Sequence, residues 1–117
     1  MDTRLAAPAE HPAAVVWLDR MHALIARAHE GRATVTEVER DYRHPETEYL
    51  WRIAREAGDC DRVVIMGPDA SRIAFEREFV ALYRRPDRLI DVGLVVTPAP
   101  GELEAHLRLV EPSAAVH

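Results

Sequence analysis

Residues 62–66, RVVIM, form an apolar run with no polar alternation, closed by Gly67, Pro68 and Asp69 and followed by a charged stretch of helical character. A strand without a polar face has to be covered on both sides. It therefore predicts a parallel neighbour in the sheet and helices packed around it. Ala13–Asp19, AAVVWLD, is a second run of strand length, and Leu89–Val96, LIDVGLVV, reads as a third buried strand.

Between and around these runs the hydrophobic period changes. Met21–His29 and Ala33–Arg40 are strand-like, linked to each other through Glu30-Gly31 and to the first run by a tight turn at Arg20. The charges of ATVTEVER suit an edge strand. In PETEYLWRIAREAG, residues Leu50, Ile53, Ala54 and Ala57 recur at helical spacing, Pro45 suits the first helical position, Glu46 and Glu48 favour the N-terminal dipole, and Gly58 is a stop. Ala70–Arg85 is a second expected helix with Phe75, Phe79, Leu82 and Tyr83 as its stripe and Pro86 as its end; Gly101–Val110 is a third, with Leu103, Leu107 and Val110 facing inward. Residues 1–12 read as a flexible lead-in, 13–110 as one α/β domain and 111–117 as a tail. The order β-β-β-α-β-α-β-α, with right-handed crossovers, predicts a three-layer ribonuclease H-like motif. Its mixed five-stranded sheet has the order 3-2-1-4-5, with strand 2 antiparallel to the rest.

Composition narrows the chemistry. The net charge is −5, all 15 basic side chains are Arg, and Lys, Asn and Gln are absent. Binding nucleic acid through bulk charge is disfavoured, and no DNA partner is expected. A Walker-type lysine, a Schiff base and amide-based catalysis are ruled out. The single Cys60 can make neither an internal disulfide nor a zinc set and reads as a buried thiol. No stretch is long and apolar enough to span a membrane, and the first residues are too polar for a signal peptide, so a cytoplasmic protein without cofactor is expected.

In an open α/β sheet, ligands favour the carboxyl ends of the strands where strand order reverses, here between strands 1 and 4, at Asp19 and Asp69. Gly67 permits an unusual backbone angle, and Asp69 or Ser71 can cap the following helix. As a phosphate cradle GPDAS is poor: one Gly, a Pro without N–H and an acid at the mouth. The bland reading is a turn and a cap. The sharper one is a metal-dependent nuclease or phosphohydrolase, with Asp19, Glu46, Glu48 and Asp69 as carboxylates at this edge. A second group, Arg20, Arg40, Tyr42, Arg43 and His44, is a candidate RNA contact, although interleaved acids nearly cancel its charge. No two His residues stand at a metal-ligand spacing, and with Ser71 and Ser113 as the only serines no nucleophile elbow exists, so neither a metal site of His nor a Ser-His-Asp site is expected. Trp17 and Trp51 read as core or rim packing.

The segments AVVWLDRMHALIARAHEG, ETEYLWRIARE, DRVVIMGPDASRIAFEREF and DRLIDVGLVVTPAPGELEAHL together resemble the bacterial translational machinery components, relatives of the middle domain of eukaryotic and archaeal class 1 peptide release factors and of Pelota. The resemblance runs over about residues 13–110, and VVWLDRMHA and VVIMGPDASRIAFE are its most specific pieces. It implies the ribonuclease H-like arrangement and a non-catalytic role with the ribosome or translation factors. In release factors a Gly-Gly-Gln loop lies between the third strand and the first helix. Here that link is Asp41-Tyr42-Arg43-His44 and the chain holds no Gln, so peptide release by that chemistry is not open to it. A remaining alternative is a small self-associating module, a homodimer paired through the charged third strand.

Overall fold

The computed structural model describes residues 13–29, 32–93 and 96–110; the expectations for the two tails and for the Glu30-Gly31 turn lie outside them. Three strands come first: β1 (Ala13–Leu18), β2 (His22–His29) and β3 (Arg32–Glu39). Then follow α1 (Glu46–Ala57), β4 (Arg62–Met66), α2 (Asp69–Tyr83), a 3₁₀ turn (Pro86–Arg88), β5 (Leu89–Asp91) and α3 (Pro100–Val110). The sheet has the order β3-β2-β1-β4-β5. β2 is antiparallel to β1 and to β3, while β1 and β4 run parallel with Val15 opposite Val64 and Trp17 opposite Met66. This is the three-layer arrangement that the sequence predicts.

The absence of alternation in β1 and β4 has the expected cause. Ala14, Val16, Leu18, Val63 and Ile65 pack on one face with Tyr49, Leu50, Ile53, Ala54 and Ala57 of α1 and Phe75 and Phe79 of α2. Ala13, Val15, Trp17, Val64 and Met66 pack on the other with Leu103 and Leu107 of α3. Burying each of the larger side chains contributes on the order of 1.5–3 kcal/mol, so the two central strands carry a large share of the hydrophobic stabilisation. Cys60 is buried and unpaired, and its thiol is pushed up to about 11, chiefly by that burial.

Three local expectations are corrected. β5 is a three-residue edge strand with an exposed or half-exposed outer side, not a buried strand reaching Val96. It has only β4 as partner, and Gly93 turns the chain into the left-handed region (φ 71°). Residues 94–95 lie outside the described structure, and Val96 is mostly exposed to solvent. α2 ends at Tyr83 rather than Arg85: Arg84 adopts the left-handed conformation (φ 57°) and its N–H donates to the Val80 carbonyl at 2.8 Å. Of the expected stripe, Phe75 and Phe79 are buried, Tyr83 packs half-buried against Phe79, and Leu82 is exposed. Finally, no side chain caps α2; its N-cap residue is Pro68.

Candidate functional site

The carboxyl ends of β1 and β4 lie side by side and their chains part there. β1 turns back into β2, while β4 continues through α2 towards β5. The β1–β2 turn is closed by Asp19. Its N–H donates to the His22 carbonyl at 3.0 Å, and its Oδ1 accepts from the N–H groups of Met21 (2.7 Å) and His22 (2.9 Å). Arg20 and Met21 form the tip of the turn. From below, Tyr49 of α1 donates its hydroxyl to the Asp19 carbonyl at 3.0 Å. Burial, then the charges of Asp19 and Glu46, hold the Tyr49 phenol above its ordinary pKa, so it stays a donor.

Gly67 fits β4 against this turn. Its φ of 124° is accessible to glycine almost alone, and a Cβ there would collide with the Leu18 carbonyl oxygen. Arg72 then secures the start of α2: its Nε donates to the Gly67 carbonyl at 2.7 Å, and its guanidinium pairs with Asp69 and with Asp91 of β5. Asp69 is thus drawn to the β5 side. Glu76 belongs to the same cluster. Its hydrogen bond with Asp91, followed by burial, lifts its carboxyl to about 7, while the same bond lowers that of Asp91.

On the opposite side of the α2 start lies a cleft of about 490 Å³, lined by Asp19, Arg20, Met21, Tyr42, Pro68, Ala70 and Ser71. A second hollow of about 300 Å³ adjoins it, bounded by Met21, His22, Glu37, Glu39, Arg40 and Tyr42. Met21 and Tyr42 form the ridge between the two and are 60% and 63% exposed. The Arg40 guanidinium lies 4.5 Å from the centroid of the Tyr42 ring and supports it from one face.

Tyr42 is held by a link that folds on itself. Asp41 accepts from the Arg43 N–H at 3.0 Å and from the Arg43 guanidinium at 2.8 and 3.0 Å, and its carbonyl accepts from the His44 N–H at 3.0 Å. These bonds with Arg43 hold the Asp41 carboxyl well below the usual carboxylate range. His44 Nδ1 lies 3.3 Å from Glu48 Oε1.

Of the carboxylates considered for a metal edge, only Asp19 lines the cleft; Glu48 faces His44 and Asp69 faces Arg72, and Glu46 lies in the first turn of α1 outside the lining. Among the described residues no three His, Cys, Asp or Glu side chains are grouped so as to hold a metal ion. Of the candidate RNA contacts, Arg20 and Tyr42 line the cleft and Arg40 backs Tyr42, whereas Arg43 and His44 are occupied within their own link. Arg27 of β2 points elsewhere, to the Glu56 carbonyl (2.6 Å) and to Asp59 (2.9 Å). Sequence reasoning missed Met21, Ala70 and Tyr49 as parts of this region. Met21 was read as the first residue of the second strand, which begins instead at His22.

No family model matches the chain, and neither does any curated protein. Solved structures do match. Pelota of Archaeoglobus fulgidus aligns with a TM-score of 0.64 at 15% identity over 88% of this chain and 33% of that one. An archaeal translation termination factor, aRF1, aligns at 0.54 and 19% identity over 86% and 35%. Saccharomyces cerevisiae Dom34, described as a translation termination-like factor involved in RNA quality control pathways and interacting with Hbs1, aligns at 0.57 and 10% over 90% and 34%. The likeness is one of fold, and the chain spans about a third of the length of the structures it matches.

Proposed function

We propose that this chain is a non-catalytic binding module of the translation apparatus, meeting ribosomal or other RNA through the edge where Arg20, Arg40 and Tyr42 gather. The likeness in fold to Pelota and aRF1 supports a setting in translation. The observation that carries the reading is the convergence of residues far apart in the chain. Arg20 from the β1–β2 turn and Tyr42 from the β3–α1 link line one cleft, with Arg40 stacked on the Tyr42 ring. An exposed aromatic ring next to guanidinium groups offers stacking and phosphate pairing at once, the two contributions that single-stranded RNA uses most. The missing Gln excludes the Gly-Gly-Gln chemistry of peptide release from these 117 residues, so binding rather than hydrolysis is the role assigned.

The net charge of −5 makes this a local contact and not a bulk electrostatic one. Its salt dependence should therefore be shallow. The test is co-sedimentation of the purified protein with ribosomes and separated subunits from its host over a range of salt. Pelleting with one of these fractions that persists at moderate salt is expected; a protein that stays in the supernatant under all conditions sinks the proposal.

A further inference from the structure

We propose that the cleft between the Asp19–His22 turn and the first turn of α2 binds a single unpaired nucleotide, its base against Tyr42 and its phosphate at the start of α2 beside Arg20. The inference deepens the RNA-contact reading above and rests on it for its setting, but the site is argued from its own geometry.

The first observation is Ser71. It forms part of the cleft wall and is 5% exposed, yet its Oγ has no hydrogen-bond partner among the described residues. A buried hydroxyl without a partner costs stability, and natural structures satisfy nearly all such groups. The second is the helix end itself. Arg72 is the first residue of α2 whose N–H reaches a carbonyl one turn back, that of Pro68 at 3.0 Å, and no side chain caps the N–H groups ahead of it. Those amides and the positive end of the helix dipole favour an anion. Asp69 and Asp19 would oppose it, but Arg72 holds Asp69 in an ion pair on the β5 side, and Asp19, which lines the cleft, has its Oδ1 engaged by the amides of Met21 and His22, with Arg20 beside it.

The cleft is not a simple anion hole, because Tyr42 and Met21 present a broad, exposed, apolar surface to it. A bare phosphate would leave that surface wet, and an apolar ligand would leave Ser71 and the helix amides without partners. A nucleotide satisfies both: a planar base stacks on the Tyr42 ring, which Arg40 already supports from one face, and the phosphate reaches the amides and Arg20. A volume of about 490 Å³ lies within the usual size range of small-ligand sites. Asp19 adds a preference. Its Oδ1 is occupied by the turn amides, and an exocyclic amine of the base would be a donor suited to its Oδ2. Adenine, cytosine and guanine carry such an amine; uracil does not.

The shared chemistry could be supplied by an RNA strand or by a free nucleotide, and the experiment separates them. Fluorescence anisotropy is measured with labelled single-stranded hexamers of A, C and U, and with AMP as competitor. The A and C hexamers should bind and the U hexamer bind several-fold more weakly. Tyr42→Ala should lower affinity roughly tenfold and Tyr42→Trp restore it. Ser71→Ala and Arg20→Ala should each weaken binding several-fold while leaving the melting temperature in place. Binding of AMP alone, lost in the same variants, assigns the site to a free nucleotide. If neither hexamers nor AMP bind, or if every variant binds like the wild type, the cleft is not a nucleotide site. Ribosome co-sedimentation run alongside keeps the two proposals apart. Pelleting without hexamer or AMP binding overturns the cleft and leaves the translation reading intact. Hexamer or AMP binding without pelleting supports the cleft and overturns that reading.

Discussion

The first turn of α2 has two sides, and they differ in how their polar groups are used. On the β5 side, Arg72 bonds to the Gly67 carbonyl, Asp69 and Asp91, and Glu76 lies close enough to Asp91 for each to shift the other's pKa. On the cleft side, Ser71 Oγ has no described partner, and Tyr42 and Met21 are mostly exposed. One side is tied together by Arg72, with Glu76 Oε2 left without a partner among the described residues; the other has the same helix start but no ion pair, and its Ser71 Oγ is unpartnered. A fold that only needed to join β4 to α2 would gain stability by satisfying both. The contrast teaches that Arg72 holds the start of α2 from the β5 side alone, so that the turn is secured without a bond from Ser71.

The joint on which both sides depend should show the largest effect. Gly67→Ala forces a residue with a Cβ into a φ of 124° and drives that atom into the Leu18 carbonyl, a backbone group that cannot turn aside. Backbone strain and overpacking together should cost about 4 kcal/mol. Urea denaturation would measure it, and a loss below about 1 kcal/mol would mean that β1 and β4 do not meet as described. Next in size is the clamp itself. Arg72→Met keeps the stem but leaves Asp91 and the Gly67 carbonyl without their donor. The side chain of Arg72 is largely buried while Asp69 is mostly in solvent, so the expected loss is about 2 kcal/mol, below that of a fully buried pair. An unchanged denaturation midpoint would erase the difference between the two sides.

Much of this arrangement was legible in the residues, for identifiable reasons. RVVIM and AAVVWL lack alternation because each is covered on both faces, and that, together with the order of elements and right-handed crossovers, made their parallel pairing and the sheet order readable. Gly67 was readable as a strained position because a strand ended there against charge. β5 was misjudged because LIDVGLVV has the composition of a covered strand, whereas its place at the sheet edge is decided by what lies beyond it. The cap was misjudged for a related reason. Asp69 and Ser71 are the residue types that cap helices, but Arg72 draws Asp69 away, a competition set by the tertiary position of Asp91. Arg20 and Tyr42 could be named from sequence as contact residues, but their meeting in one cleft depends on where the β3–α1 link crosses the β1–β2 turn.

The clamp side should also respond to pH. The folded protein raises the Glu76 carboxyl from its ordinary 4.5 to about 7 through the hydrogen bond to Asp91 and through burial. A raised carboxyl pKa means that the fold favours the protonated form. The associated stability is fully present below about pH 4.5 and is lost as pH rises through about 7. Asp91, whose pKa is lowered, contributes in the opposite sense and loses its share only at more acidic pH. Melting temperatures between pH 5 and 8 should therefore fall with rising pH, and Glu76→Gln should flatten that slope while keeping a hydrogen bond to Asp91. A slope that survives the substitution would assign the pH response to another group.

The smallest expected effect sharpens the comparison most. If Ser71 served the fold, replacing it would cost what a lost cap or a lost buried hydrogen bond costs, about 1 kcal/mol. Its Oγ has no described partner, so Ser71→Ala removes a buried hydroxyl that the folded chain leaves unsatisfied. Stability should then stay within about 0.5 kcal/mol of wild type or rise slightly. Removing a largely buried polar group from the other side of the turn, as Arg72→Met does, should be clearly destabilising. Denaturation of the two variants side by side decides the matter. A Ser71→Ala loss of 1 kcal/mol or more would show that the hydroxyl holds the turn, and the two sides of α2 would then differ in chemistry but not in purpose.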